Sequence, residues 1–141
     1  MSIQRATAQQ LWLELANYRD WTAHTAAPVT GEHPFGEHIQ LFYNDTAKAA
    51  IGTQGDWPND VIFVKDNYAT HPAGDGPGEL AAITVMKKGA GVWFWAQYKP
   101  DGSLFETAEG TVVAGTADIG CVDCHTSAAQ RDHVITRLGG S

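Results

Sequence analysis

The chain is short of several things, and each shortage narrows what it can be. It has nine basic residues against sixteen acidic ones, a formal net charge of −7, and no run of Lys or Arg. Phosphate contacts need clustered cations, so nucleic acid and anionic membrane surfaces are poor partners for it. No stretch approaches the ~20 consecutive apolar residues of a membrane span. Residues 1–15 lack a basic start followed by an apolar run, so no signal peptide is expected in this sequence. There is no internal repeat and no low-complexity tract. Cysteine is limited to two residues and methionine to two, of which only Met86 is internal.

What is present is aromatic and glycine-rich: five Trp, five Phe, four Tyr and fifteen Gly in 141 residues. That composition points away from a helical bundle, which favours Ala, Leu, Glu and Lys. The length suits one ordinary core, so residues 1–141 are read as a single domain.

Along the chain, Thr7 and Gln10 resemble a capping box, with Leu11, Leu15 and Tyr18 recurring on one helical face as far as Trp21. Residues 22–37 carry two Pro and two Gly and read as loop. His38 to Tyr43 alternates as a strand, with Leu41 and Tyr43 on one side and Gln40 and Phe42 on the other. Asn44 or Asp45 then caps a short helix through Ile51. Gly55 to Asp60 is read as a turn, and Val61 to Lys65 as a β-branched and aromatic strand. Ala69 to Gly78 is a loop. Leu80 to Lys88 and Gly91 to Tyr98 form two strands joined at Gly89-Ala90, followed by a turn at Pro100-Asp101-Gly102. Thr111 to Val113 adds a short strand, and Ser127 to Leu138 a helix. The expected class is α+β: a mainly antiparallel sheet with an N-terminal helix and a C-terminal helix that bears the functional motif.

That last element follows from the cysteines. Both lie in Cys121-Val122-Asp123-Cys124-His125, the attachment pattern of c-type haem. Two thiols three positions apart can reach the two vinyl groups of one porphyrin, and the adjacent imidazole then lies beneath the iron. A structural zinc site would want a fourth ligand and usually a second pair. A redox dithiol would want a βαβ setting. Neither companion is found. One haem c held through two thioethers is therefore the expected cofactor, with His125 as its iron ligand. Covalent attachment of this kind takes place outside the bacterial inner membrane, so a periplasmic protein, processed on export, is expected.

Only 16 residues follow His125, and none is Met. Met86 falls in an apolar strand pattern and reads as core. His38 is the single histidine retained as a distal candidate. The expectation is five-coordinate iron with one open face, which suits binding of small molecules better than plain electron transfer to a redox partner.

Several segments, in order, resemble the cytochrome P-460 family, which includes the cytochromes c′-β. They are Asn17-Tyr18-Arg19-Asp20-Trp21, His38 to Asn44, Val61 to Asp66, Trp93 to Gly102, and Cys121 to Thr136. The resemblance implies a mainly antiparallel fold, a homodimer and a pentacoordinate haem c. In the P-460 enzymes a lysine is joined to the porphyrin rim and hydroxylamine is oxidised. In the c′-β members that link is absent and nitric oxide binding is the better-supported role.

Lys65 matches the position of the cross-linking lysine, and it shares a strand face with Val61 and Phe63. The plainer reading is a lysine that snorkels to solvent or to a haem propionate. The enzymes' distal carboxylate aligns with Ile83, or with Thr84 if shifted by one, and Gln40 stands where the enzyme carries Arg. Without a positioned base, hydroxylamine oxidation would lose ~10²–10⁴-fold in rate. Phe42, Phe63 and Ile83 are the candidates for an apolar distal wall. A small gaseous or nitrogenous ligand, chiefly nitric oxide, is the expected partner. Hydroxylamine oxidation is the alternative, and electron transfer the second alternative.

Overall fold

The computed structural model describes residues 3–33, 36–51, 57–70, 77–110 and 112–115. Helix α1 spans Ile3–Glu14, and a single 3₁₀ turn follows at Tyr18–Asp20. Strands β1 (Thr22–Ala23), β2 (Val29–His33) and β3 (Gly36–Tyr43) precede the short helix α2 (Asp45–Ala50). The long strands β4 (Ile62–Thr70), β5 (Pro77–Gly89) and β6 (Val92–Tyr98) come next, then β7 (Ala114–Gly115). They form one sheet in the order β1-β3-β4-β5-β6-β7, with β2 also pairing along β3, and every pairing is antiparallel.

The mainly antiparallel sheet with its N-terminal helix agrees with expectation. The predicted C-terminal helix at Ser127–Leu138 lies outside the described residues, as do residues 55 and 56 of the predicted turn and residues 71–76 of the predicted loop. Several local readings need correction, the first being the short strand expected at Thr111–Val113, since β7 is Ala114–Gly115. Helix α1 begins at Ile3, so Thr7 sits inside it and is no N-cap. Residues 22–37, read as loop, supply β1, β2 and the start of β3. These are edge segments paired to β3, and tertiary pairing overrides their weak local propensity. The β5–β6 turn is at Ala90-Gly91, one residue later than predicted. Both residues have positive φ, 51° and 78°, as a tight turn matched to strand twist requires.

The sheet buries both faces. On one, Ala8, Leu11, Leu15 and Tyr18 pack against Phe42, Ile62, Val64, Ile83, Val85, Ala96 and Tyr98. The Tyr98 hydroxyl donates to the Ala8 carbonyl at 2.6 Å, and Lys87 pairs with Glu14 at 2.7 Å, so α1 is tied to β6 and β5. On the other face, Leu41, Tyr43, Val61, Phe63, Met86, Trp93 and Trp95 form a second cluster with Ala47 of α2. Asn44 holds this corner as the N-cap of α2. Its side-chain oxygen accepts from Ala47 N at 3.1 Å and from Ile62 N at 3.3 Å, and its amide nitrogen donates to the Asp60 carbonyl at 2.8 Å.

Candidate haem site

Strand alternation decides what each face can do. In β4, Ile62 and Val64 point into the helix-covered core, while Phe63 points into the opposite cluster. Lys65 and Asn67 continue the Phe63 face, and Asp66 continues the helix-covered face. In the register across the sheet, Leu41 lies opposite Lys65, Lys65 opposite Thr84, and Thr84 opposite Gln97. Lys65, Asn67, Thr84 and Gln97 therefore form a polar band on one face, next to an aromatic band.

The aromatic band centres on Phe63. Trp57 meets it edge-on with ring centroids 5.1 Å apart, and Tyr43 and Trp93 each lie 6.2 Å away. Trp93 in turn lies 6.3 Å from Trp95. Lys88, only 4% exposed, holds its ammonium 5.2 Å from the centre of the Trp93 ring.

The polar band is buried but incompletely satisfied. Asn67 is fully buried, and its amide nitrogen faces the carbonyls of Lys65 (2.9 Å) and Ala82 (3.2 Å) and the hydroxyl of Thr84 (3.2 Å). Among the described residues, the buried side-chain atoms without a hydrogen-bond partner are Asn67 Oδ1, Gln97 Oε1 and Trp93 Nε1. All three belong to this face. A buried polar atom without a partner costs about 1–3 kcal/mol, so three on one side of the sheet set this face apart from the other.

The opposite face is saturated. The fully buried Asp66 carboxylate receives the Tyr18 hydroxyl at 2.5 Å, Arg19 Nε at 2.8 Å and the Tyr68 hydroxyl at 3.4 Å. Burial and the bond to Asp66 push the Tyr18 phenol far above its ordinary range. Burial pulls the Arg19 guanidinium down, but the Asp66 carboxylate outweighs it and the net shift is upward. Burial likewise raises Tyr68.

The sequence candidates are thus divided. Phe63 and Lys65 share the incompletely satisfied face. Phe42 and Ile83 lie in the helix-covered core, where Phe42 meets the Tyr18 ring at 5.6 Å. Gln40 and His38 also lie on the strand side opposite to Leu41, and Gln40 donates to the Thr25 carbonyl at 3.0 Å. Of the two alignments for the distal carboxylate position, Thr84 faces Lys65's side and Ile83 does not. Asn67 and Gln97 were not singled out from sequence. Their signal was there: amide side chains at inward positions of otherwise apolar strands are uncommon and need a reason. Cys121, Cys124 and His125 lie outside the described residues. Cys121 follows Gly115, the end of β7 on the β6 edge, by six positions, so the chain can reach at most ~20 Å from there.

The cytochrome P460 family model matches residues 15–136. The chain belongs to the cytochrome P460 family. No curated protein matches it. Membership makes haem its cofactor, and the residues present suit that group. A flat apolar macrocycle requires aromatic and aliphatic surface, which Phe63, Met86, Trp93 and Trp95 supply. Its anionic rim requires donors or a cation, which Lys65 and Thr84, paired across β4 and β5, would provide. Among the described residues no helix is long and apolar enough to cross a membrane.

Proposed function

We propose that the protein is a mono-haem c-type cytochrome with five-coordinate iron that binds small diatomic ligands, chiefly nitric oxide. In this reading Cys121 and Cys124 form the two thioethers, His125 is the proximal ligand, and the haem rests on the face that carries Phe63 and Lys65. The observation that carries it is the surroundings of Lys65. Its strand-register partners across the sheet are Leu41 and Thr84, and neither side chain is a base that takes protons. The nearest carboxylate in sequence, Asp66, faces the other side and is committed to Tyr18 and Arg19.

Bound haem supplies an iron whose open position takes the ligand. The protein's part is to fix the macrocycle against the aromatic band and to keep that position enclosed. Phe63, held by Tyr43, Trp57 and Trp93, gives the enclosure a rigid wall. Hydroxylamine oxidation is the second reading, favoured by Lys65 standing on the same face as the aromatic cluster, where its amine can reach a porphyrin rim. In both readings the protein is an exported, periplasmic homodimer.

Mass spectrometry of the haem peptide separates the two. A haem peptide containing only Cys121 and Cys124 supports ligand binding. A porphyrin also joined to Lys65 overturns it in favour of the oxidase. A low-spin ferrous spectrum without added ligand would show a sixth protein ligand and exclude both.

A further inference from the structure

The five tryptophans of the chain divide between the two faces of the sheet. Trp12 and Trp21 pack, partly buried, against the helix-covered core. Trp57, also partly buried, and the buried Trp93 and Trp95 belong to the opposite cluster. These three form one continuous run of ring contacts. Phe63 stands between Trp57 and Trp93, 5.1 Å from the first and 6.2 Å from the second, and Trp95 lies 6.3 Å beyond Trp93. The run has a direction. An indole that loses an electron becomes a cation and an acid, so it is favoured where no positive charge faces it and where its Nε1 proton has an acceptor. Trp93 meets neither condition. The Lys88 ammonium lies 5.2 Å from its ring centre, and its buried Nε1 has no hydrogen-bond partner among the described residues. Taking an electron from that ring turns the cation–π attraction into repulsion. Trp95 is buried as well, whereas Trp57 is partly exposed, so water can take its proton.

We propose that this run is an oxidative discharge route: when hydrogen peroxide oxidises the haem protein, electrons drawn through Trp93 and past Phe63 come finally from Trp57, which is consumed in place of the cofactor. The step balances. Cleavage of the peroxide O–O bond takes up two electrons and two protons and yields two waters. Trp57 supplies the two electrons: a ring C–H bond and an O–H bond of water break, a ring C–O bond forms, and two protons leave to solvent. The sum is one indole and one peroxide converted into one hydroxyindole and one water. Phe63 is not oxidised, and its ring is the contact that bridges the two indoles. Lys88 keeps charge from resting on Trp93. The inference rests on the proposed placement of haem on the Phe63 face, and it is independent of which ligand the iron binds.

The test records the haem spectrum of the ferric protein, then adds hydrogen peroxide in water enriched in a heavy oxygen isotope and maps added oxygen by peptide mass spectrometry. Heavy oxygen is expected on Trp57 and not on Trp12 or Trp21. All three are partly buried, so exposure alone would mark them alike. Equal labelling, or labelling confined to Trp12 or Trp21, overturns the route. Light oxygen on Trp57 also overturns it, because that is direct attack by the peroxide, and so does an adduct that persists when cyanide occupies the iron. Trp57→Phe should lose the adduct, bleach its haem faster and carry the heavy oxygen on Trp93 or Trp95 instead; bleaching at the wild-type rate overturns the protection. Lys88→Met should move part of the heavy oxygen from Trp57 to Trp93, and it keeps the test open if Trp57→Phe folds poorly. An unchanged distribution in that variant overturns the direction assigned to the run. Protein with no haem spectrum defeats the haem reading and the route with it. A haem protein labelled on the wrong tryptophans defeats the route alone.

Discussion

Tyr18 donates its hydroxyl to the fully buried Asp66 carboxylate at 2.5 Å, joining the 3₁₀ turn after α1 to the middle of β4 across 48 positions of sequence. Arg19 approaches the same carboxylate from the solvent side and stacks its guanidinium 4.7 Å from the Tyr18 ring centre. The N-terminal segment is thus held by a charge-assisted network, and the neighbouring residue of β4, Lys65, is left facing the other way. Tyr18→Phe removes one donor from a buried acceptor and should destabilise the fold by about 1–3 kcal/mol, read as a lower urea midpoint at unchanged slope. Arg19 is half-exposed, so Arg19→Met should cost less than Tyr18→Phe.

The same tyrosines predict how stability varies at alkaline pH. Burial raises Tyr18 and Tyr98 well above the ordinary value of 10.0, and Tyr68 moves the same way. Below pH 10 each phenol holds its proton folded and unfolded, and the contribution to stability is complete. Above pH 10 the unfolded chain releases protons that the folded chain keeps, so stability falls as pH rises. The loss is up to ~1.4 kcal/mol per pH unit for each such tyrosine. Urea midpoints at pH 9, 10 and 11 should decline, and Tyr18→Phe should flatten the decline by one proton. An unchanged decline in that variant would remove Tyr18 from the account.

The β5–β6 turn offers a stabilising change. Ala90 occupies the left-handed region at φ 51°, where a Cβ is crowded against the following carbonyl. Ala90→Asn creates the Asn-Gly pair preferred in this turn and should stabilise by about 0.5–1 kcal/mol. The side chain at 90 is exposed, so packing is untouched and the thermal midpoint reports the backbone effect alone.

Gly102 predicts the reverse. Its φ is +91°, and a Cβ there would lie 2.7 Å from the Trp12 indole. That indole is itself packed on Tyr98 with ring centroids 4.8 Å apart, so it cannot withdraw freely. Gly102→Ala combines backbone strain with overpacking and should cost about 2–4 kcal/mol. A cost under 0.5 kcal/mol would mean that Trp12 moves aside.

Much of this was legible in the chain. The four long strands announce themselves by β-branched and aromatic runs, and Asn44 is readable as a cap because its side chain matches the need of the next turn. Parity was harder. Ile83 and Thr84 pair in regular register with Asp66 and Lys65, and a one-residue slip in alignment moves a side chain to the other face of the sheet. That is why Ile83 and Thr84 were interchangeable in sequence and are opposites in the fold. Phe42 was grouped with Phe63 by chemistry, although Phe42 belongs to the helix-covered core. The buried amides of Asn67 and Gln97 needed a three-dimensional neighbourhood before their missing partners could be seen. Edge strands β1 and β2 had no local signature because their hydrogen bonds are made with β3.

The haem attachment has its own ordered set of outcomes. Under the proposed assignment, Cys121→Ser or Cys124→Ser leaves one thioether. Each single variant should still carry haem, with its reduced pyridine haemochrome band displaced from the two-thioether position. The double variant should yield haem that an acidic organic solvent extracts. His125→Ala removes the iron's protein ligand but neither thioether, so haem should stay attached while the spectrum changes and imidazole added from solution restores it. The Tyr18–Asp66 network is made by Tyr18, Arg19, Asp66 and Tyr68, so the sheet and its N-terminal helix should form in all of these variants. Far-ultraviolet dichroism checks that. Native protein whose two thiols alkylate freely would show that Cys121 and Cys124 are not thioethers, and the haem would then have to be held by its iron ligand and non-covalent contacts.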